Sequence, residues 1–189
     1  VLYLALLAGL LTGCYNEEDS REHVLKVYNW ADYIGEGVLE DFQQYYKEQT
    51  GEEIRIVYQT FDINEIMLTK IEKGHEDFDV VCPSEYIIER MLRKDLLLPI
   101  DTVFAHSPNY MNGVAPYIRE QIDKLGTPDN PASRYAVCYM WGTAGLLYNR
   151  AYVSESDLKS WGCLWEKRFA GKILMKDAYR DAYGMALLY

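Results

Sequence analysis

Apolar positions repeat every second residue in some stretches of this chain and every third or fourth in others. Val24–Trp30 (VLKVYNW) combines β-branched and aromatic residues and predicts a strand. Glu53–Tyr58 (EIRIVY) alternates and predicts a second. Phe78–Cys82 (FDVVC) is short and nearly all apolar, the pattern of a strand buried on both faces of a parallel sheet. Between the first two, Val38, Leu39, Phe42, Tyr45, Tyr46 and Gln49 fall on helical spacing, and Gly51 is a natural stop. Ile63, Ile66, Met67 and Ile71 form a second apolar stripe that Gly74 closes, and Asp62 with Glu65 three residues on has the form of a capping box at its start. Ile87, Ile88, Met91 and Leu92 mark a third helix.

The order β-α-β-α-β-α predicts an α/β fold with a parallel sheet and right-handed crossovers. Residues 101–134 are richer in Pro, Asn and Asp and read as irregular loops with a short helix. Tyr135–Tyr139 and Gly145–Tyr148 read as strands around Gly142-Thr143, and Lys172–Met175 as another. Trp161–Phe169 is aromatic and semi-helical, and Tyr179–Tyr189 begins a helix.

The first residues read as an address. Val1–Leu11 is almost unbroken apolar sequence followed by Thr12-Gly13-Cys14. The run is too short to cross ~30 Å of hydrocarbon comfortably. It fits the apolar part of a secretory signal, and Leu11-Thr12-Gly13-Cys14 looks like a bacterial lipobox, in which Cys14 is lipidated and becomes the new N-terminus. A buried hydrophobic helix is the competing reading. The basic segment expected ahead of such a signal is missing, so the signal is expected to be partial. Tyr15–His23 (YNEEDSREH) is acidic and polar, as a solvated tether is.

Of 189 residues, 49% are hydrophobic and 14% aromatic, which excludes a disordered chain. Nineteen Lys+Arg against 29 Asp+Glu leave a net charge of -10, so the chain repels phosphate backbones and general nucleic-acid binding is excluded. That charge suits a cationic ligand or simple solubility equally. Cys82, Cys138 and Cys163 are odd in number and lack CxxC spacing, so they are expected to be free thiols packed as small hydrophobes. His23, His75 and His106 are scattered, and no nucleophilic triad is visible.

Ligands of open α/β sheets bind beyond the carboxyl ends of the strands. Here those ends are residues 29–33 (NWADY), 83–86 (PSEY) and 176–181 (KDAYRD), and each joins a carboxylate to an aromatic. That mixture suits an organic ammonium, whose charge needs acids and ring faces. A phosphate would call for Gly-rich loops with Lys or Arg. Core packing of the Trp and N-capping by the Asp compete with the ligand reading at each end.

VYNWADYI (27–34), FDVVCPSEYIIERM (78–91), YMWGTAGLLYN (139–149), SWGCLWEKRFAGKILM (160–175) and DAYRDAYGMAL (177–187) resemble, in the same order, bacterial spermidine/putrescine-binding proteins, the substrate-binding components of polyamine ABC importers. The resemblance runs from about Val24 to the last residue. It implies a type II periplasmic-binding-protein-like fold, two lobes with a hinge that close on one linear polyamine. It divides the chain into a signal segment (1–13), a tether (14–23), a nearly complete first lobe (24–142) and the start of a truncated second lobe (143–189). By matched position, Trp30 packs on the polyamine chain, Ser84 and Tyr86 line the cleft, and Asp181 receives an ammonium group where a well-known member has Glu. Asp32 and Tyr33 match further motif positions. Ala31 replaces a hydroxyl and Ala178 a second acid, for which the adjacent Asp177 substitutes if the loop is shifted. Trp141 is expected to support the crossover near the hinge, and Cys138 stands where Pro is usual.

The resemblance implies an extracytoplasmic binding protein without enzymatic activity, cofactor or metal. Its partners are the polyamine, an ABC permease with its ATPase, and the membrane through a lipid on Cys14. It would be a monomeric lipoprotein, periplasmic or on the cell surface. Three other readings stand beside this one: the same fold holding ferric iron or another small solute; a secreted hydrolase with Asp177 and Asp181 paired at i,i+4 on a helix; and a lipoprotein that only scaffolds partners.

Overall fold

A computed structural model describes residues 21–100 and 108–188. The lipobox with Cys14 lies outside them, as does most of the tether. Strand β1 (Val24–Trp30) covers the expected residues. It is the middle of a three-stranded parallel sheet of order β2-β1-β3, with β2 at Arg55–Phe61 and β3 at Val80–Val81. The second strand begins and ends later than its alternation predicts, because β1 sets its register: Val24 lies opposite Arg55 and Trp30 opposite Phe61. The third is far shorter than expected. Val80 is 48% exposed, so this strand is not buried on both faces, although the Asp79 and Cys82 N–H groups still donate to the Lys26 and Tyr28 carbonyls at 3.0 Å each.

Helix α1 (Val38–Thr50) ends as predicted at Gly51, which takes φ 79° and donates its N–H to the Lys47 carbonyl. Helix α2 (Asn64–Gly74) departs from expectation at both ends. Its N-cap is Ile63 in extended conformation with no side-chain cap, so the Asp62/Glu65 capping box does not form. Past Gly74, His75 takes the left-handed turn at φ 51°. Helix α3 (Glu85–Arg93) buries Ile87 and Met91 from its predicted stripe.

Met67 and Leu68 of α2 and Ile87 and Met91 of α3 meet Tyr28 and Phe61 in one core with Ile71 packed against it, whereas Ile66 of the predicted α2 stripe is 60% exposed, because the helix turns its Met67–Leu68 side to the sheet. The Tyr28 ring stacks on Phe78 at 4.5 Å and meets Phe61 edge-on at 5.0 Å, the two arrangements ring quadrupoles favour. Arg21 straps the start of β1 to the approach of β3 through Asp77 (2.8 Å) and Asp79 (3.0 Å), and Lys26 adds a contact to Asp77 at 2.6 Å.

Among its described residues, the stretch expected to be loops with one short helix holds two, α4 (Pro108–Gly113) and α5 (Pro116–Asp123), the latter with Pro in its first turn. The described residues divide between Tyr139 and Met140 into two compact units. In the second unit Trp161–Trp165 and Lys167–Phe169 form 3-10 turns, in keeping with the semi-helical expectation, and α6 spans Tyr179–Leu187. The strands expected at 135–139, 145–148 and 172–175 are not formed. A strand is completed by a neighbour's backbone, and among the described residues the sheet ends at β3. No helix among the described residues is long and apolar enough to cross a membrane.

Candidate functional site

The strand order 2-1-3 reverses between β1 and β3. All three strands are parallel, so their carboxyl ends share one edge, and the loops leaving β1 and β3 flank the crevice that such a reversal opens.

The loop after β1 is built around a buried amide. Asn29, 5% exposed, accepts the Trp30 N–H on its side-chain oxygen at 2.8 Å. Asp32 then turns the chain through the left-handed region at φ 60°, a conformation that Asp tolerates better than most side chains. The turn brings the Tyr33 ring to 6.0 Å from the Trp30 ring, which also lies 4.5 Å from the Phe61 ring. Trp30 is thus anchored on the core and shares an accessible aromatic surface with Tyr33, which is 40% exposed. The Tyr139 phenol donates to the Tyr33 carbonyl and ties the loop down. Burial pushes that phenol's pKa up, and nearby Cys82 and Tyr58 reinforce the shift.

The loop after β3 leads into α3 at Ser84. A serine in this position ordinarily caps its own helix. Ser84 does not; its hydroxyl instead accepts from the Asn64 amide at 2.9 Å. The same amide donates to the Tyr86 hydroxyl at 3.0 Å, and the Asn64 oxygen accepts the Ser84 N–H at 3.1 Å. Tyr86 donates its own proton to a Glu65 carboxylate oxygen at 2.9 Å. Asn64 is only 7% exposed, so its three bonds answer the cost of burying an amide.

Of the residues singled out by sequence, Trp30 ends β1 with Asp32 and Tyr33 in the loop that follows, and Ser84 and Tyr86 stand where the loop after β3 enters α3. Trp30 and Tyr86 pack against one core cluster. Asp177 and Asp181 belong to the second unit. Asp181 lies in the first turn of α6 and pairs with Lys176 at 3.0 Å, whereas Asp177 precedes the helix, so the two do not share a helix face. Asn64 and Glu65 were missed by sequence reasoning. Glu65 looked like half of a local cap, and its true partner is 21 residues away in sequence. Cys82, Cys138 and Cys163 are free thiols, as expected; burial raises the Cys82 thiol pKa, with a further contribution from Cys138. Among the described residues no group of His, Cys, Asp and Glu is arranged to hold a metal ion.

Residues 40–189 match the model of the bacterial extracellular solute-binding protein family. Over 187 residues the chain is 29% identical to the spermidine/putrescine-binding periplasmic protein of Escherichia coli, a match covering 98% of this chain and 49% of that protein. It is 32% identical over 198 residues to a putrescine-binding periplasmic protein of the same organism, covering 97% and 50%. A solved structure from Listeria monocytogenes, described as a candidate spermidine/putrescine ABC transporter, superposes with a TM-score of 0.69 at 32% identity, covering 87% of this chain and 47% of that one. The chain therefore spans about half the length of the curated relatives it matches. The match to the family model covers most of its length, and the chain belongs to the bacterial extracellular solute-binding proteins.

Proposed function

We propose that this chain supplies one wall of the binding cleft of an extracytoplasmic polyamine receptor that serves an ABC importer. The observation that carries the reading is the pairing of two strand ends across the strand-order reversal: the end of β1 and its loop expose the rings of Trp30 and Tyr33, and the start of α3 after β3 holds the hydroxyls of Ser84 and Tyr86 with a carboxylate behind them. Ring faces cover methylenes and attract ammonium charge, and oriented oxygens accept N–H donors. The net charge of -10 favours a cationic guest in encounter as well. Relatives named for spermidine and putrescine support the same ligand class.

In this reading the amine enters an open cleft as a flexible polycation. Asp32, Tyr33 and Tyr86 meet it on the first lobe, and Asp181, with Asp177 beside it, meets it from the second. Each nitrogen taken from water needs a partner, because an unpaired buried charge is costly. A ligand held by both lobes favours the closed form, which the permease recognises, a population shift driven by unequal affinity for two states. Binding suffices for this role, and no bond need be made or broken. Cys14, lipidated, would hold the receptor at the membrane.

Calorimetric titration of the full-length protein with putrescine and spermidine tests the reading directly. Binding of at least one is expected, and a flat titration with both overturns the assignment. Thermal shifts separate the ferric-ion alternative, since a ligand at about 100 times its Kd adds about 2.7 kcal/mol of stability and Fe(III) should add none.

A further inference from the structure

We propose that Asn64 and Glu65, the first two residues of α2, are positioning residues that fix the polarity of the Tyr86 hydroxyl beside Ser84 and favour guests that donate N–H groups; this rests on the polyamine reading above. The hydrogen count is specific. Asn64 gives one amide hydrogen to the Ser84 hydroxyl oxygen and the other to the Tyr86 oxygen, at 2.9 and 3.0 Å. Its orientation is dictated by the Ser84 N–H, which only the amide oxygen can accept. The Tyr86 hydrogen goes to the Glu65 carboxylate at 2.9 Å. With that hydrogen committed, the phenol meets a guest as an acceptor. A carboxylate pulling on the phenol hydrogen also enriches the oxygen, since consecutive hydrogen bonds polarise one another by roughly 10–30% each. An ammonium guest gains on both counts, and a guest that offers only acceptors finds no hydrogen to take from the Tyr86 phenol.

Two features argue that this unit is more than a helix start. Ser84 forgoes the capping bond its position invites, and Glu65 makes no bond back to the start of its own helix. Both are diverted into one network: the Ser84 hydroxyl takes its bond from Asn64, 20 residues away in sequence, and Glu65 takes the Tyr86 hydrogen, 21 residues away.

The test is a double-variant cycle of Glu65→Gln and Tyr86→Phe in the full-length protein, followed with and without amine. Glu65→Gln keeps the size and an acceptor oxygen but removes the charge and adds amide hydrogens that can reverse the bond. Polyamine Kd is expected to rise about tenfold in the wild-type background, the scale of a charge-assisted hydrogen bond. In the Tyr86→Phe background the same change should cost no more than about twofold, the tolerance of independent sites, because the group it acts through is gone. Equal weakening in both backgrounds overturns the proposal and makes Glu65 a through-space charge. Without ligand, the melting shifts of the two single variants should exceed that of the double when summed; additive shifts overturn the hydrogen-bonded unit. Binding by the wild type with additive melting therefore rejects the positioning pair and spares the polyamine reading. A flat wild-type titration with sub-additive melting rejects the polyamine reading and supports the bonded unit.

Discussion

The two units of this chain have similar raw material and different outcomes. Residues up to Tyr139 include six large side chains, from Tyr28 to Met91, buried together beneath a sheet. From Met140 on, Cys163 is the buried side chain among the described residues, while Leu147, Tyr152, Leu174 and Leu187 stand 87% or more exposed. The second unit is held by turns and ion pairs instead: Asp157 accepts from Ser154 at 2.7 Å and from Arg168 at 2.8 Å, and Arg168 also reaches Glu166 at 2.6 Å. Exposed pairs of this kind contribute little compared with a core. The difference teaches that strand-forming sequence acquires a core where a partner strand is at hand, and among the described residues the paired strands all lie in the first unit.

The largest effect should come from emptying the first core. Ile87→Ala, at a side chain with no exposed surface, is expected to cost about 2–5 kcal/mol in chemical denaturation. Leu174→Ala, at a side chain 99% exposed, should stay within about 0.5 kcal/mol. Comparable costs at the two positions would abolish the contrast between the units.

Next in size is the surface of the first unit proposed to face the ligand. Trp30→Ala should weaken polyamine binding by about 1–3 kcal/mol by calorimetry, from lost ring area and lost attraction to the ammonium. An unchanged affinity would remove Trp30 from the site.

Smallest are the acid-sensitive ties, one in each unit. In the first, hydrogen bonds from Lys26 and then Arg21 hold the Asp77 carboxyl well below the usual carboxylate range. In the second, bonds from Ser154 and then Arg168 do the same for Asp157. A carboxylate whose folded pKa is depressed adds stability that is complete above its unfolded pKa, about 3.9 for Asp, and is lost as the pH falls below it. Hydrogen exchange at pH 3 against pH 6 should therefore show earlier opening around residues 154–168, where the tie has no core behind it, than around β1. Added salt should shrink both effects, since the groups face solvent. Uniform loss of protection across both units would contradict the comparison.

Much of the first unit was legible. β1 could be read residue for residue, because its β-branched and aromatic run is uninterrupted, and α1 could be read to its stop at Gly51. The aromatic loop after β1 and the Ser-x-Tyr loop after β3 were legible as strand ends. What was not legible involved partners distant in the chain: the shift of β2 to residues 55–61, the shrinkage of β3 to two residues, and the use of Glu65 by Tyr86 rather than by a cap. The strand patterns at 145–148 and 172–175 are real as patterns, yet neither acquires a ladder.

The amino-acid order by itself determined α1, α2, α3 and α6 in outline, the parallel α/β alternation of the first unit, and the acid-and-aromatic character of its strand ends. Those properties follow from periodicity and residue type, which operate over a few neighbouring residues. Only the tertiary structure decided which strand borders which, where each one starts, and which hydroxyl each polar side chain holds. A ladder or a buried hydrogen bond depends on a second stretch of backbone arriving at bonding distance, and that arrival is a property of the packed chain as a whole.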